Sequence, residues 1–188
     1  MALAKPHRHD VYAELEALPS NMVGQIISGA LYAHPRPTRR HGRAAGGLNF
    51  AINGPFQFKQ GGPGGWVFIP EHELHLGQHV VVPDISGWKT DRYPIAETTS
   101  YSVVPPDWLC EILSPSTARL DRFQKLPIYA GHSVHHCWYV DPIEKTLEVF
   151  ILDQGTYKIG PTFTDSAPVT APPFEAHTFA LSLLWDEA

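Results

Sequence analysis

The stretch from His79 to Tyr129 contains HVVVPDISGW at residues 79–88, PPDWLCEILSPST at 105–117 and DRFQKLPIY at 121–129. Val80, Val81 and Val82 form an apolar run that ends at Pro83 and Asp84. Proline cannot donate to a sheet ladder, so pairing breaks there and the acid is re-aimed. Glu111 stands inside LCEIL, where period-2 alternation puts Leu109 and Leu113 on its face. An exposed face is therefore an uncomfortable place for it. An ionised carboxylate in apolar surroundings costs several kcal/mol unless it is paired or binds a cation. Lys125 follows on the next predicted helix, with Tyr129 one helical turn further on the same face.

Two carboxylates from neighbouring strands can hold Mg²⁺ or Mn²⁺. Such a metal polarises a phosphoryl oxygen and acidifies a bound water. A lysine beside it stabilises developing negative charge. Asp84, Glu111 and Lys125 thus suggest a metal-dependent hydrolase of phosphodiesters. Each residue alone also has an ordinary reading: an acid on an open sheet face, or a lysine in solvent.

Working outward, Asp10 to Leu18 has helical spacing, with Asp10 as a cap and Pro19 as a stop. Met22 to Tyr32 reads as two strands turning at Ser28-Gly29, with Gln25 as the polar residue of the first. Thr38 caps a helix reaching about Ile52, weakened by Gly46 and Gly47 at about 1 kcal/mol each. Small residues there also let another backbone approach. Trp66–Pro70 is a strand, and Glu71–Gly77 alternates as a short strand or turn. Lys89–Val104 is polar and turn-rich, and Trp108–Leu113 is a strand. A helix capped by Ser116 or Thr117 runs to about Ala130, kinked at Pro127. His136–Asp141 is a strand, and Thr146–Leu152 with Gly155–Ile159 forms a hairpin turning at Asp153-Gln154. Pro161 to Glu175 is loop and edge strand, and His177–Trp185 closes the core. This order predicts an α+β (α/β-like) domain with a mixed sheet flanked by helices.

At 188 residues, with no repeat or linker, the chain is expected to form a single domain over 1–188. No apolar run approaches the ~20 residues that span a bilayer. The first residues lack the apolar core of a secretory signal, which points to the cytoplasm. Cys110 and Cys137 sit in no CxxC pair and are expected to be reduced and half-buried.

A net charge of −5 does not advertise nucleic-acid binding, but local charge decides that. Arg36, Arg39, Arg40 and Arg43 cluster with His34 and His41 at the predicted helix start. This basic concentration is suited to phosphate contact, because the helix dipole there also favours anions. The alternative is a solvated face. His72, His75 and His79, with Glu73, suggest a competing zinc site on a β-barrel. The helix after Ser116 argues against an all-β chain.

VVPD, PPDWLCEILSPST and DRFQKLPIYAGHSVHHCWYVDP together resemble the Uma-type restriction-endonuclease family of bacteria, within the PD-(D/E)XK nuclease superfamily. The resemblance runs from about Met22 to Phe150 and is strongest from Val81 to Pro142. It implies a restriction-endonuclease-like core, a DNA substrate and a Mg²⁺ (or Mn²⁺) cofactor. It implies that Asp84 and Glu111 are metal ligands, that the Ile112 carbonyl joins them, and that Lys125 replaces a lysine usually found at the position of Leu113. Tyr129 belongs to the same pattern. Gln25 and Ser28 stand where the family usually carries acids, and Glu73 is a candidate for the missing one. A homodimer would suit two-strand cutting. The departure at Gln25 also supports a second reading, a catalytically degenerate module that binds or assembles on the same fold.

Overall fold

The break expected at Pro83 is where the chain leaves one sheet and enters another. The computed structural model describes residues 8–93 and 99–185. Helix α1 (Arg8–Glu16) leads into β1 (Met22–Ile27) and β2 (Ala30–Pro35); α2 (Arg39–Ile52) continues as a π-helical turn, Asn53–Gln57. Next come β3 (Trp66–Pro70), β4 (Glu73–Leu76), β5 (His79–Val81), β6 (Ile85–Lys89), β7 (Tyr101–Ser102) and β8 (Trp108–Ile112). Helix α3 (Ala118–Leu120), a π-helical stretch (Asp121–Lys125) and α4 (Leu126–Gly131) follow one another directly. The chain ends with β9 (His136–Asp141), β10 (Thr146–Asp153), β11 (Thr156–Thr164), β12 (Pro168–Val169), β13 (Phe179–Ala180) and a 3₁₀ turn, Leu181–Leu184.

The strands make a five-stranded sheet, β2-β1-β5-β4-β7, a six-stranded sheet, β11-β10-β9-β8-β6-β3, and a β12-β13 ribbon. Both large sheets are mixed, through the parallel pairs β4–β7 and β8–β9. This is the expected α+β class. Its strands divide between two such sheets, a division that alternation alone does not reveal. β5 pairs with β4 and β1, whereas β6 pairs with β3 and β8. Val82, Pro83 and Asp84 bridge the two.

Local chemistry explains most boundaries. Ser28 and Gly29 have φ of 53° and 79°, the left-handed pair that a tight hairpin needs. At the second hairpin the same pair falls on Gln154 and Gly155, one residue later than expected. β11 runs on to Thr164: the register with β10 shifts between Glu148 and Phe150, so Pro161 falls in a bulge of this edge strand, where its missing N–H interrupts little. α1 starts at Arg8, so Asp10 lies inside it and does not precede it. Residues 94–98 of the turn-rich segment lie outside the described residues.

The Thr38 cap is present, its hydroxyl accepting the His41 N–H at 3.4 Å. Thr117 holds the expected cap position but makes no side-chain cap bond; instead Ser114 Oγ accepts the Thr117 N–H at 3.3 Å and lies 3.0 Å from Ser116 Oγ and 2.9 Å from Thr117 Oγ1. The α-helix expected to be kinked at Pro127 is interrupted earlier, by the π-helical stretch in which the Leu126 N–H reaches back to Asp121 O. Pro127 then sits in the first turn of α4, where its missing N–H costs little.

The six-stranded sheet buries both faces. Trp108, Cys110 and Ile112 of β8 face α2 through a core with Leu48, Trp138 and Phe174. Leu109 and Leu113 face the other way, toward Ile128 and Tyr129 of α4 and Leu74 of β4. Gly47 of α2 admits the closing 3₁₀ turn: a Cβ there would meet Leu183 O at 2.7 Å. Glu111 belongs to the second face and is 2% exposed.

Candidate active site

Asp84 is held at the crossover between the sheets. The neutral amide of Gln25, on β1, accepts the Val82 N–H at 3.0 Å and so pins the departing chain. The Glu71 N–H donates to Asp84 O at 3.0 Å. The Asp84 side chain, 16% exposed, is bound at both oxygens: Oδ2 accepts the Ile112 N–H at 2.6 Å, and Oδ1 lies 3.0 Å from His41 Nε2. Burial alone would lower the His41 imidazole, but the hydrogen bond and charge of Asp84 outweigh it and raise it above its ordinary value.

Behind Asp84 lies a buried ion cluster. Lys125 Nζ is 2.7 Å from Glu111 Oε1 and 3.2 Å from Asp121 Oδ1. Tyr129 donates its hydroxyl to Glu111 Oε1 at 2.5 Å. Lys125 is 2% exposed and Asp121 3%. Burial pushes the Glu111 carboxyl up to about 8, against the pull of the Lys125 ammonium. Burial would lower Lys125, but Glu111 and Asp121 outweigh it and hold the ammonium above its ordinary value. Tyr129 is raised well above its ordinary range by burial and then by Glu111, which keeps it a donor.

Asp84, Glu111, Ile112, Lys125 and Asp121 all line one cleft of about 730 Å³. Gln25 and Leu113 line it too. Leu113, at the position where the resemblance would place a lysine, is 2% exposed in the apolar core; the ammonium enters from the following helix. Arg36, Arg39 and Arg40 form part of the cleft wall, whereas Arg43 is not among its lining residues. Arg36 is partly engaged, by Ser20 O at 2.9 Å and Glu71 at 4.0 Å.

Glu73 lies outside the cleft, where its Oε1 meets His75 Nε2 at 2.6 Å and the Tyr12 hydroxyl at 3.2 Å. The histidines of that region take separate partners: His72 bonds Ser102, His75 bonds Glu73, and His79 accepts the Ser28 N–H. No zinc site forms from them among the described residues.

Asp121 went unread in the sequence, and His41 was read only as part of the basic cluster and not as the partner of Asp84. Asp121 precedes Lys125 by one helical turn, and a D-x-x-x-K spacing was its available signal. His41 shares the buried stripe of α2 with Ala44, Leu48 and Ala51, and that period could have marked it as inward-facing.

The donor set suits a hard dication. Each Asp84 oxygen carries one protein donor and keeps a lone pair, and both donors to Glu111 fall on Oε1. The Ile112 peptide lies against Asp84. Among the described residues no three His, Cys, Asp or Glu side chains close into a full cage. Mg²⁺ typically needs only one or two carboxylates, with its other positions left to water and phosphate.

A putative nuclease of the DUF820 family from Anabaena variabilis ATCC 29413, whose crystal structure was solved at 1.96 Å resolution, has a similar fold. Its TM-score is 0.76 at 24% identity, over 96% of this chain and 98% of that one. No curated protein matches the chain. The model of the Uma2 family, described as putative restriction endonuclease, matches residues 12–183. The chain, with its acids and lysine gathered in one cleft, therefore belongs to the Uma2 family of putative restriction endonucleases.

Proposed function

We propose that the protein is a Mg²⁺- or Mn²⁺-dependent endonuclease that hydrolyses phosphodiester bonds of DNA. One observation carries this reading: Glu111, Lys125 and Asp121 form a buried ion cluster beside Asp84, in a cleft walled by exposed arginines. Asp84, Glu111 and the Ile112 carbonyl would hold the metal. When bound, it would polarise the phosphoryl oxygen and acidify an attacking water. Lys125 would hold its ammonium against the charge that develops on the phosphoryl oxygens. The Tyr129 hydroxyl and the Ile112 N–H orient Glu111 and Asp84. Arg39 and Arg40, at the start of α2, would grip the flanking phosphates, with Arg36 and Arg43 further along the backbone. The balanced step adds the oxygen of water to phosphorus and breaks one P–O bond. The leaving oxygen keeps a proton derived from the water.

Two sites are needed to cut both strands of a duplex, and a homodimer would supply them. A cytoplasmic setting agrees with the free, buried Cys110 and Cys137. Among the described residues no helix is long and apolar enough to cross a membrane.

The test is cleavage of plasmid and linear DNA by the purified protein with Mg²⁺ or Mn²⁺. Asp84→Ala is expected to lower the rate at least 10²-fold while the fold persists. Equal cutting by that variant would remove Asp84 from the site. Gln25 favours a second reading, a non-catalytic binding module, because its neutral amide is spent on the Val82 N–H. That reading expects no cleavage and no rise in melting temperature with Mn²⁺.

A further inference from the structure

Lys125 is held by two carboxylates, and only one of them is a proposed metal ligand. Glu111 lies 2.7 Å from its ammonium and Asp121 3.2 Å, and all three residues are at most 3% exposed. A dication on Glu111 would draw on the same negative charge that holds Lys125. It would also repel the ammonium. A buried ammonium without a partner is costly and is driven from its place. Asp121 removes that conflict. It lies one helical turn before Lys125, so the two move as one body. Its peptide is anchored to β9, where the Tyr139 hydroxyl donates to Asp121 O at 2.6 Å. Both ends of the intervening chain belong to the π-helical stretch Asp121–Lys125, a wide turn of the kind found at functional sites. With Glu111 ionised on a bound metal, two buried carboxylates face one ammonium, and Asp121 is the one left free to pair it.

Resting on the nuclease reading of this cleft, we infer that Asp121 is a positioning residue that keeps the Lys125 ammonium in the site when a metal occupies Glu111. It is the counter-ion that lets one carboxylate serve the metal while the lysine stays in place. It is not itself a ligand.

The full-length protein tests this with two readouts. The first is Mn²⁺ affinity, by calorimetry without DNA. Asp121→Asn is expected to bind Mn²⁺ within about 3-fold of wild type, whereas single-turnover cleavage falls about 10²-fold with little change in KM. Asp121→Glu is expected to restore part of the rate. The second is the ¹⁵N-lysine spectrum with Mg²⁺. A Lys125 ammonium signal, assigned by its absence in Lys125→Met, is expected in wild type and lost in Asp121→Asn. A loss of Mn²⁺ affinity greater than 10-fold would make Asp121 a ligand and overturn the inference. So would an unchanged cleavage rate, or an ammonium signal that persists in Asp121→Asn. If Asp121→Asn fails to fold, Asp121→Ser carries both readouts, and wild-type Mn²⁺ affinity with a lost ammonium signal is the expected result. Absence of cleavage by the wild type would defeat the nuclease reading, and the ammonium signal would still decide the role of Asp121.

Discussion

Glu111 carries the chemical tension of this molecule. Its carboxyl is raised from its ordinary 4.5 to about 8, chiefly by burial, although Lys125 pulls it down. The sign for stability follows from proton counts. Between pH 4.5 and about 8 the unfolded chain has released this proton and the folded chain holds it. Rising pH therefore weakens the metal-free fold through Glu111. His41 acts in the same direction: its raised value stabilises the fold at low pH, and that contribution is lost as pH rises through it. Urea titrations across this window should show stability falling with pH in the metal-free wild type. The slope should be smaller in Glu111→Gln. An identical slope in the two would mean that Glu111 is ionised throughout. The alternation of LCEIL was enough to place Glu111 on an apolar face, because side-chain direction in a strand is a local property. Its partners were not local, and Asp121 was missed although it is adjacent in the helix. The widened turn there does not follow from a 3.6 period.

α2 shows how one element serves core and cleft together. Its stripe of His41, Ala44, Leu48, Ala51 and Ile52 is buried, and its capped start delivers Arg39 and Arg40 to the cleft wall. The three glycines at its centre are not equivalent. Gly47 lies against the closing 3₁₀ turn, whereas a Cβ at Gly42 or Gly46 would meet nothing within 4 Å. Gly46→Ala should therefore stabilise the protein by about 1 kcal/mol in denaturant unfolding. Gly47→Ala should destabilise it, because Leu183 O, a backbone atom, lies 2.7 Å from the new methyl. A stabilising Gly47→Ala would show that the 3₁₀ turn yields easily. Helix, cap and stripe were all legible in the sequence; which glycine mattered was not. That depended on a segment more than a hundred residues away, as the distance from Gly47 to Leu183 in the chain shows.

Across the molecule, an acidic chain presents cations at one cleft. The net charge is −5, yet Arg36, Arg39 and Arg40 line the cavity that holds Asp84 and Glu111. If DNA is the ligand, each of Arg39→Ala and Arg40→Ala should lower the slope of log affinity against log salt by about 1. Arg43→Ala, off the cleft, should lower it less. Equal effects at all three positions would indicate a diffuse field and not a cleft contact.

Periodicity, caps and turn residues foretold the strands around Asp84 and Glu111, the capped α2 and the hairpin at Ser28-Gly29, because these depend on neighbours within a few residues. They could not foretell that β5 and β6 belong to different sheets, nor that Asp84 is clamped by the Ile112 N–H and His41. They could not show that Gln25 is occupied by the Val82 N–H. Those facts rest on pairing between strands and helices distant in the chain. There, contact is set by the packing of whole layers, and no local period records it.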